Sequence, residues 1–215
     1  SGELPEWVMS KDLILKIIAD LGPDGANYQS IEFHGNTIDN MKVGERMTMC
    51  NMTVEAGAKC SPMLVNESVR KWMESLAPSK RWKETQPDKD AEYLDTRVYD
   101  LKKKTLEPMV AIPDSPTNGK PVKEVNGVPI DQAFIGSCTN GRIGDLEIAA
   151  KILRGKKIRQ GVRLIITPAS KQTYMMALDR GLIKIFMDAG GIVTNSTCGA
   201  CVGGHLGVLG AGEVC

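Results

Sequence analysis

Three cysteines are the residues of this chain whose type and spacing point most clearly to chemistry. Cys198 and Cys201, with two residues between them, lie in the glycine-rich segment 195–204. Cys138 comes much earlier, in the segment 136–142, which also contains glycines. Two thiolates at the first spacing can close on one metal ion or cluster. We therefore predict that the two segments meet in the fold and hold one metal-containing group.

Several kinds of site use such a cysteine pair. A redox dithiol ranks last, because that pair normally begins a helix after an early strand, whereas this one comes late and among glycines. A structural zinc site needs four closed ligands, and His205 or Cys215 could supply the fourth beside Cys138. Three cysteines without an obvious fourth fit an iron–sulfur cluster with one open iron, which can hold a hydroxyl and a carboxylate. Three unrelated buried cysteines are the remaining interpretation.

The composition excludes several classes of protein. The 215 residues carry 27 Lys and Arg against 26 Asp and Glu, so no concentrated basic surface indicates nucleic-acid or membrane binding. No apolar run approaches the roughly 18 residues of a membrane-spanning helix. Six cysteines are few for this length, which favours a reducing compartment. We predict a cytoplasmic protein without nucleic-acid or membrane partners.

The last third of the chain has the clearest elements for positioning the cysteines. Apolar periodicity predicts strands at 131–136, 162–167 and 191–194, alternating with helices at 145–153, 170–178 and 183–188. This order indicates a parallel sheet covered by helices. Both cysteine segments then follow strand ends, where open α/β sheets bind their ligands.

The first half is predicted to be mixed. Ser10 is the expected N-cap of a helix that Gly22 and Pro23 end. The other expected elements are a strand at 29–34, helices at 44–57 and 67–76, a strand at 95–101 and a long loop at 111–129. We place a domain boundary near residues 104–107, which gives domains 1–106 and 107–215.

Several segments resemble the aconitase superfamily, and within it the 3-isopropylmalate dehydratase large subunit and its homoaconitase relatives. The segments that carry the resemblance are 10–15, 44–57, 130–135, 136–142, 167–170, 195–204 and 210–215. The resemblance implies an α/β fold like the aconitase iron–sulfur domain, with two three-layer α/β/α subdomains and largely parallel sheets. Residues 1–106 would be its second domain and residues 107–215 its third.

The resemblance also implies roles for particular residues. Cys138, Cys198 and Cys201 would ligate a 4Fe–4S cluster whose fourth iron binds substrate. Glu55 would be an active-site carboxylate near that iron and its bound water, and Asn51 would lie beside the cluster. The spacing of these two residues adds only that they share one face of a helix.

Asn140 and Arg142 follow Cys138 at an expected helix N-terminus, which is a favourable place for anions. They could add polar or cationic contacts there, and ordinary capping and a surface salt bridge are the alternative. His34 is expected to be structural, and His205 to support the cluster loop or to bind zinc. Cys50 and Cys60 are expected to be buried thiols, and Cys215 lies outside the ligand set.

The implied activity is a hydro-lyase that isomerises 2-isopropylmalate and 3-isopropylmalate in leucine biosynthesis, with homoaconitate or dimethylmalate hydration as alternatives. A zinc-stabilised, non-catalytic interaction domain is the alternative of another class. From the resemblance we expect that the family's first domain, its arginine-bearing segment and its swivelling domain, which is a separate small subunit in this branch, lie outside these 215 residues. We therefore expect a fragment that holds its cluster weakly, is inactive alone and needs that small subunit to act on a small hydroxy acid.

Overall fold

The computed structural model describes all 215 residues, which divide into two compact units, Ser1–Asn126 and Gly127–Cys215. The first unit contains α1 (Ser10–Leu21), α2 (Asn36–Asp39), α3 (Val43–Met52), α4 (Glu67–Leu76), β1 (Met109–Ala111) and β2 (Gly119–Pro121). The second contains β3 (Gln132–Gly136), α5 (Ser137–Asn140), α6 (Ile143–Leu153), β4 (Arg163–Thr167), α7 (Lys171–Asp179), α8 (Leu182–Asp188) and β5 (Ile192–Val193). Short 3₁₀ helices cover Thr53–Ala56, Val122–Val125 and Gly199–Val202. None of these helices is long and apolar enough to cross a membrane.

The core of the first unit is built around α1. Its residues Ile14 and Ile18 are completely buried, and the helix packs against α3 and the β1–β2 pair. The predicted helix bounds are confirmed, but Ser10 is its first residue and not its N-cap. The cap position belongs to Met9, whose backbone N–H donates to the Asp12 carboxylate over 2.7 Å. The Asp12 carboxylate in the first turn therefore accepts from the N–H of the cap residue itself, and no side chain caps the first-turn N–H groups that Ser10 was expected to satisfy.

The strands of the first unit differ from the predicted ones. Residues 29–34 form only two isolated parallel bridges, at Ser30 and Phe33, so no continuous ladder develops. Residues 95–98 are exposed and the segment 95–101 contains no strand, although Tyr99 and Leu101 pack against the core around α1. The expected loop at 111–129 instead contributes β2, which pairs antiparallel with β1. This unit therefore contains a two-stranded antiparallel sheet where a three-layer α/β/α arrangement was predicted.

The second predicted helix, 44–57, is divided. The α-helix ends at Met52 and continues as the 3₁₀ helix Thr53–Ala56, which Gly57 closes with a left-handed φ of 85°. The Thr53 hydroxyl donates to the carbonyl of Cys50 over 2.9 Å, a local bond that competes with regular helix geometry. Helix α4 begins after its Asn66 cap, and its predicted bounds are confirmed.

The second unit has the predicted parallel sheet, in the order β3–β4–β5. Helices α6, α7 and α8 contact one another and cover one face of it. Leu146, Ile166 and Phe186 are completely buried between these layers. The Ser170 side chain caps α7 by accepting from the N–H of Thr173, as predicted. The alternating strands and helices expected from the sequence are confirmed in this unit, as is the α/β class.

The opposite face of this sheet carries no helix. Residues 205–208 line a cavity of about 370 Å³ together with the helix-free side of β4 and β5. The Val214 carbonyl accepts hydrogen bonds from two backbone N–H groups. One belongs to Asp131, just before β3, and the other to Gln132, the first residue of β3. The glycine-rich C-terminal segment, residues 205–215, therefore occupies the place of the third layer of the predicted α/β/α arrangement.

The units divide later than the expected boundary at 104–107. Strands β1 and β2 pack on α1, and the Asp12 carboxylate accepts from the N–H of Met109 over 2.6 Å. These contacts attach residues 109–121 to the first unit. The assignment of 1–106 and 107–215 as two family domains stays a prediction.

Candidate functional site

Cys138 lies in the single-turn helix α5, which follows β3 directly. The preceding residues, Gly136 and Ser137, have positive φ angles of 138° and 64°. A Cβ on Gly136 would lie 2.0 Å from the carbonyl oxygen of Thr167, at the end of β4. Only glycine allows this approach, which leaves the Cys138 side chain exposed beyond the strand end.

A second glycine closes the same turn. Gly141 has an ordinary φ of −103°, but a Cβ there would lie 2.4 Å from the carbonyl oxygen of Thr167 and 2.6 Å from that of Ser137. Both contacts are to backbone atoms, which cannot rotate away. The turn carrying Cys138 is therefore packed onto the end of β4 at two glycine positions.

Gly141→Ala is expected to lower the free energy of unfolding by about 3 kcal/mol, because the added methyl group overpacks against fixed backbone. Gly144→Ala is the matched control: it lies in α6, and a Cβ there would meet nothing within 4 Å. The control should be neutral or more stable by up to about 1 kcal/mol, since alanine is the better helix former. Urea denaturation followed by circular dichroism measures both, and equal midpoints for the two variants would contradict the packing argument.

Asn140 and Arg142 lie between the Cys138 turn and α6. The Asn140 amide donates to Asp145 Oδ1 over 3.2 Å, and the Arg142 backbone N–H donates to Asp145 Oδ2 over 3.0 Å. Arg142 is thus the N-cap residue of α6, which agrees with the capping alternative. Asn140 Oδ1 and Arg142 Nε are nevertheless buried and have no hydrogen-bond partner. Such atoms are uncommon in native structures and leave a donor and an acceptor available beside Cys138.

Cys198 and Cys201 lie on the turn that follows β5. The 3₁₀ helix Gly199–Val202 forms this turn, and the N–H of Cys201 donates to the carbonyl of Cys198 over 2.9 Å. His205 Nε2 lies 2.7 Å from the Thr197 hydroxyl, which joins the two sides of the turn. Both cysteine side chains are exposed. His205 therefore supports the turn through Thr197.

The two cysteine segments begin at the same edge of the sheet. Strands β3 and β5 flank β4 in parallel, so their carboxyl ends point the same way. All six cysteines are free thiols. No group of three or more His, Cys, Asp or Glu side chains is arranged to hold a metal ion. The thiols fit an iron–sulfur group in chemistry and in their place on the sheet, whereas their convergence on one point stays a prediction.

Asn51 and Glu55 belong to the first unit, and both side chains are exposed. Asn51 lies on α3, but Glu55 lies on the 3₁₀ helix that follows, so they do not share the face of one α-helix. Their role in the same site as the cysteines stays a prediction.

The other histidine and cysteines have local partners. His34 contacts the Glu32 carboxylate, with 3.1 Å between His34 Nε2 and Glu32 Oε2. Cys50 is partly buried, donates to the carbonyl of Ser61, and has its pKa raised by burial. Cys60 is exposed, so its prediction as a buried thiol was wrong. Exposure follows from its position beyond the 3₁₀ helix, outside the core around α1.

An ion pair at the helix-free face of the β3–β4–β5 sheet was not predicted from the sequence. Arg163 and Glu213 form two parallel hydrogen bonds, of 2.7 and 2.6 Å. The bonds from Arg163, then that from the N–H of Gly210, lower the pKa of Glu213 to about 2. The partners are fifty residues apart, and their spacing shows no periodicity that could have linked them. The only signal was that Glu213 lies in one of the segments carrying the family resemblance.

Comparison with known proteins decides the family. The family described as "Aconitase family (aconitate hydratase)" matches residues 1–215. The chain belongs to the aconitase family. This confirms the resemblance carried by the cysteine segments.

Aconitase-family relatives include the "3-isopropylmalate dehydratase large subunit 2" of Archaeoglobus fulgidus, 48% identical over 214 residues. The 3-isopropylmalate dehydratase large subunits of Hydrogenobaculum sp. and Aquifex aeolicus are each 49% identical, over 214 and 219 residues. Each alignment covers 100% of this chain but only 51%, 50% and 50% of the respective relative. The chain spans about half the length of the curated relatives it matches.

Proposed function

We propose that this chain is the cluster-binding part of a 3-isopropylmalate dehydratase large subunit. The reaction is the isomerisation of 2-isopropylmalate and 3-isopropylmalate by dehydration and rehydration, in leucine biosynthesis. The observation that carries the proposal is the alignment of the whole chain, at close to half identity, with large subunits of that name. Homoaconitate and dimethylmalate are the alternative substrates.

Cys138, Cys198 and Cys201 are proposed to hold a 4Fe–4S cluster. Three free, exposed thiols on segments that leave one sheet edge support this assignment. When bound, the cluster supplies an open iron that acts as a Lewis acid towards a substrate hydroxyl.

The polar residues of this chain would handle the substrate's charge and one proton. Glu55 is exposed, so its carboxylate is free to hold or release a proton at the departing hydroxyl or the returning water. Asn51 would orient the same group. Arg142 Nε and Asn140 Oδ1 offer an unused donor and an unused acceptor beside Cys138. The base that takes the proton from carbon is assigned to no residue of this chain.

The partner proposed for the complete enzyme is a small subunit that carries the swivelling domain. The names of the relatives, which are large subunits, support a second subunit. We expect the 215-residue chain to hold its cluster weakly and to have no dehydratase activity alone. Placement in the cytoplasm stays a prediction from the cysteine content.

The test is anaerobic reconstitution of the complete large subunit with its small subunit. We expect brown protein with about four irons per large subunit and turnover of isopropylmalate in preference to homoaconitate. Colourless protein with one tightly bound zinc would instead support the interaction-domain alternative. Turnover of 3-isopropylmalate by the 215-residue chain alone would contradict the expected dependence on the rest of the enzyme.

A further inference from the structure

The C-terminal segment, residues 205–215, is attached to the sheet by a bidentate ion pair. Arg163 Nη1 and Nη2 donate to the two carboxylate oxygens of Glu213 over 2.7 and 2.6 Å. Glu213 Oε2 also accepts from the N–H of Gly210 over 2.7 Å. The Glu213 carboxylate therefore binds β4 through Arg163 and, at the same time, binds the backbone of its own loop through Gly210. Bidentate pairing of this kind fixes geometry as well as contributing energy.

Gln132 connects this ion pair to the cysteine turn. Its side chain is completely buried, so both ends of its amide need partners. Gln132 Oε1 accepts from Arg163 Nε over 3.1 Å, and Gln132 Nε2 donates to the carbonyl of Gly207 over 2.7 Å. One buried amide thus links the guanidinium to the backbone of the segment that follows the cysteines.

Gly207 lies against both the sheet and the turn that carries Cys198 and Cys201. Its φ is 91°, and a Cβ there would lie 2.8 Å from Ile165 Cδ1 and 2.9 Å from Ala200 Cβ. Ala200 is one of the two residues between the paired cysteines. The peptide that Gln132 fixes is therefore packed between the sheet and the cysteine turn.

We propose that Arg163, Gln132 and Glu213 are positioning residues that hold the turn carrying Cys198 and Cys201 over the sheet edge. The turn and its flanks are rich in glycine, which has the largest backbone entropy to lose on ordering. An anchor that orders the turn in advance reduces the cost of bringing its two thiols to one ligand. The identity of that ligand rests on the proposed function, but the positioning does not.

Hydrogen exchange of the 215-residue chain, measured by mass spectrometry, tests the positioning without any metal. Glu213→Gln keeps the shape of the side chain and removes its charge. We expect exchange in the peptide 197–204 to become about three- to tenfold faster, because the turn opens more often. A purely local role would speed exchange only in 209–215, and that result would overturn the proposal.

The control and a second variant keep the result interpretable. Glu147→Gln removes a carboxylate that pairs with Arg180 on the helical side of the sheet, and should leave exchange in 197–204 unchanged. If Glu213→Gln does not fold, Arg163→Lys replaces it, since lysine keeps the charge and loses the two-pronged geometry. Faster exchange in 197–204 with this variant supports the proposal, and wild-type exchange there overturns it.

A double variant tests whether the residues act as one unit. Arg163→Gln combined with Glu213→Gln should deprotect 197–204 no more than the stronger single variant, because either change breaks the same ion pair. Effects of the two substitutions that multiply would overturn the proposal of a shared network.

The complete large subunit with its small subunit supplies the functional arm. Glu213→Gln should have a wild-type visible spectrum after reconstitution and lose it about three- to tenfold faster in air. Equal rates of loss would overturn the functional part of the proposal. If the wild-type protein binds no iron at all, the proposed function fails, and the hydrogen-exchange result still decides the positioning.

Discussion

Cys198→Ser is expected to remove most of the iron from the reconstituted complete enzyme and to lower its turnover of isopropylmalate by about a thousandfold or more, since several kcal/mol of Lewis-acid stabilisation are lost. Serine has nearly the same size as cysteine but is a poor ligand for a cluster, which is held by thiolates. Iron analysis, acid-labile sulfide and visible absorption measure the loss of the cluster. Turnover measures its consequence.

Cys60→Ser is the matched control for this substitution. Cys60 is also an exposed free thiol, but it lies in the first unit and outside the proposed ligand set. Its variant should keep wild-type iron and activity. A Cys198→Ser enzyme that retains about four irons per large subunit, with an unchanged circular dichroism spectrum, would show that Cys198 is not a ligand.

Glu55→Gln is expected to lower kcat by about 10²- to 10⁴-fold, the usual contribution of a positioned proton-transfer group. The amide is nearly isosteric with the carboxylate and cannot exchange a proton with the leaving hydroxyl. The iron content and visible spectrum should stay at the wild-type level, because Glu55 is not proposed as a ligand. Steady-state kinetics of the complete two-subunit enzyme provide the measurement.

Glu74→Gln provides the comparison, since Glu74 is an exposed carboxylate on α4 of the same unit. We expect its kinetics to be unchanged. If Glu55→Gln turns over within about threefold of the wild type, Glu55 carries no proton in a rate-limiting step. Loss of iron in this variant, with residual activity in proportion to the iron, would assign Glu55 to cluster binding instead.

The second unit shows how far local pattern can lead. Strand β4 and the helices α7 and α8 were predictable because each carries its own apolar pattern and its own punctuation, such as the Ser170 cap and Gly181. Residues 29–34 also carry a strand-like pattern, with apolar and polar residues alternating, yet they form only isolated bridges. A strand exists only when a partner continues the ladder, and that partner cannot be read from the segment itself.

The site shows the same division between local and distant information. The cysteine spacing and the segments around it, taken alone, led to a three-thiolate site and to the aconitase family, and the family match confirms the second inference. Residue type and short-range spacing carry such information because ligand chemistry depends on them directly.

Only the tertiary structure revealed what surrounds the cysteines. The ion pair between Arg163 and Glu213, and the approach of Gly136 and Gly141 to Thr167, join residues far apart in the chain. The same holds for the sheet face that the C-terminal segment covers in place of helices. These contacts depend on which backbone segments lie side by side once the sheet has formed. The sequence separation of the residues does not predict which segments these are. The thiols were identifiable from the sequence, whereas the framework that positions them had to be seen in the fold.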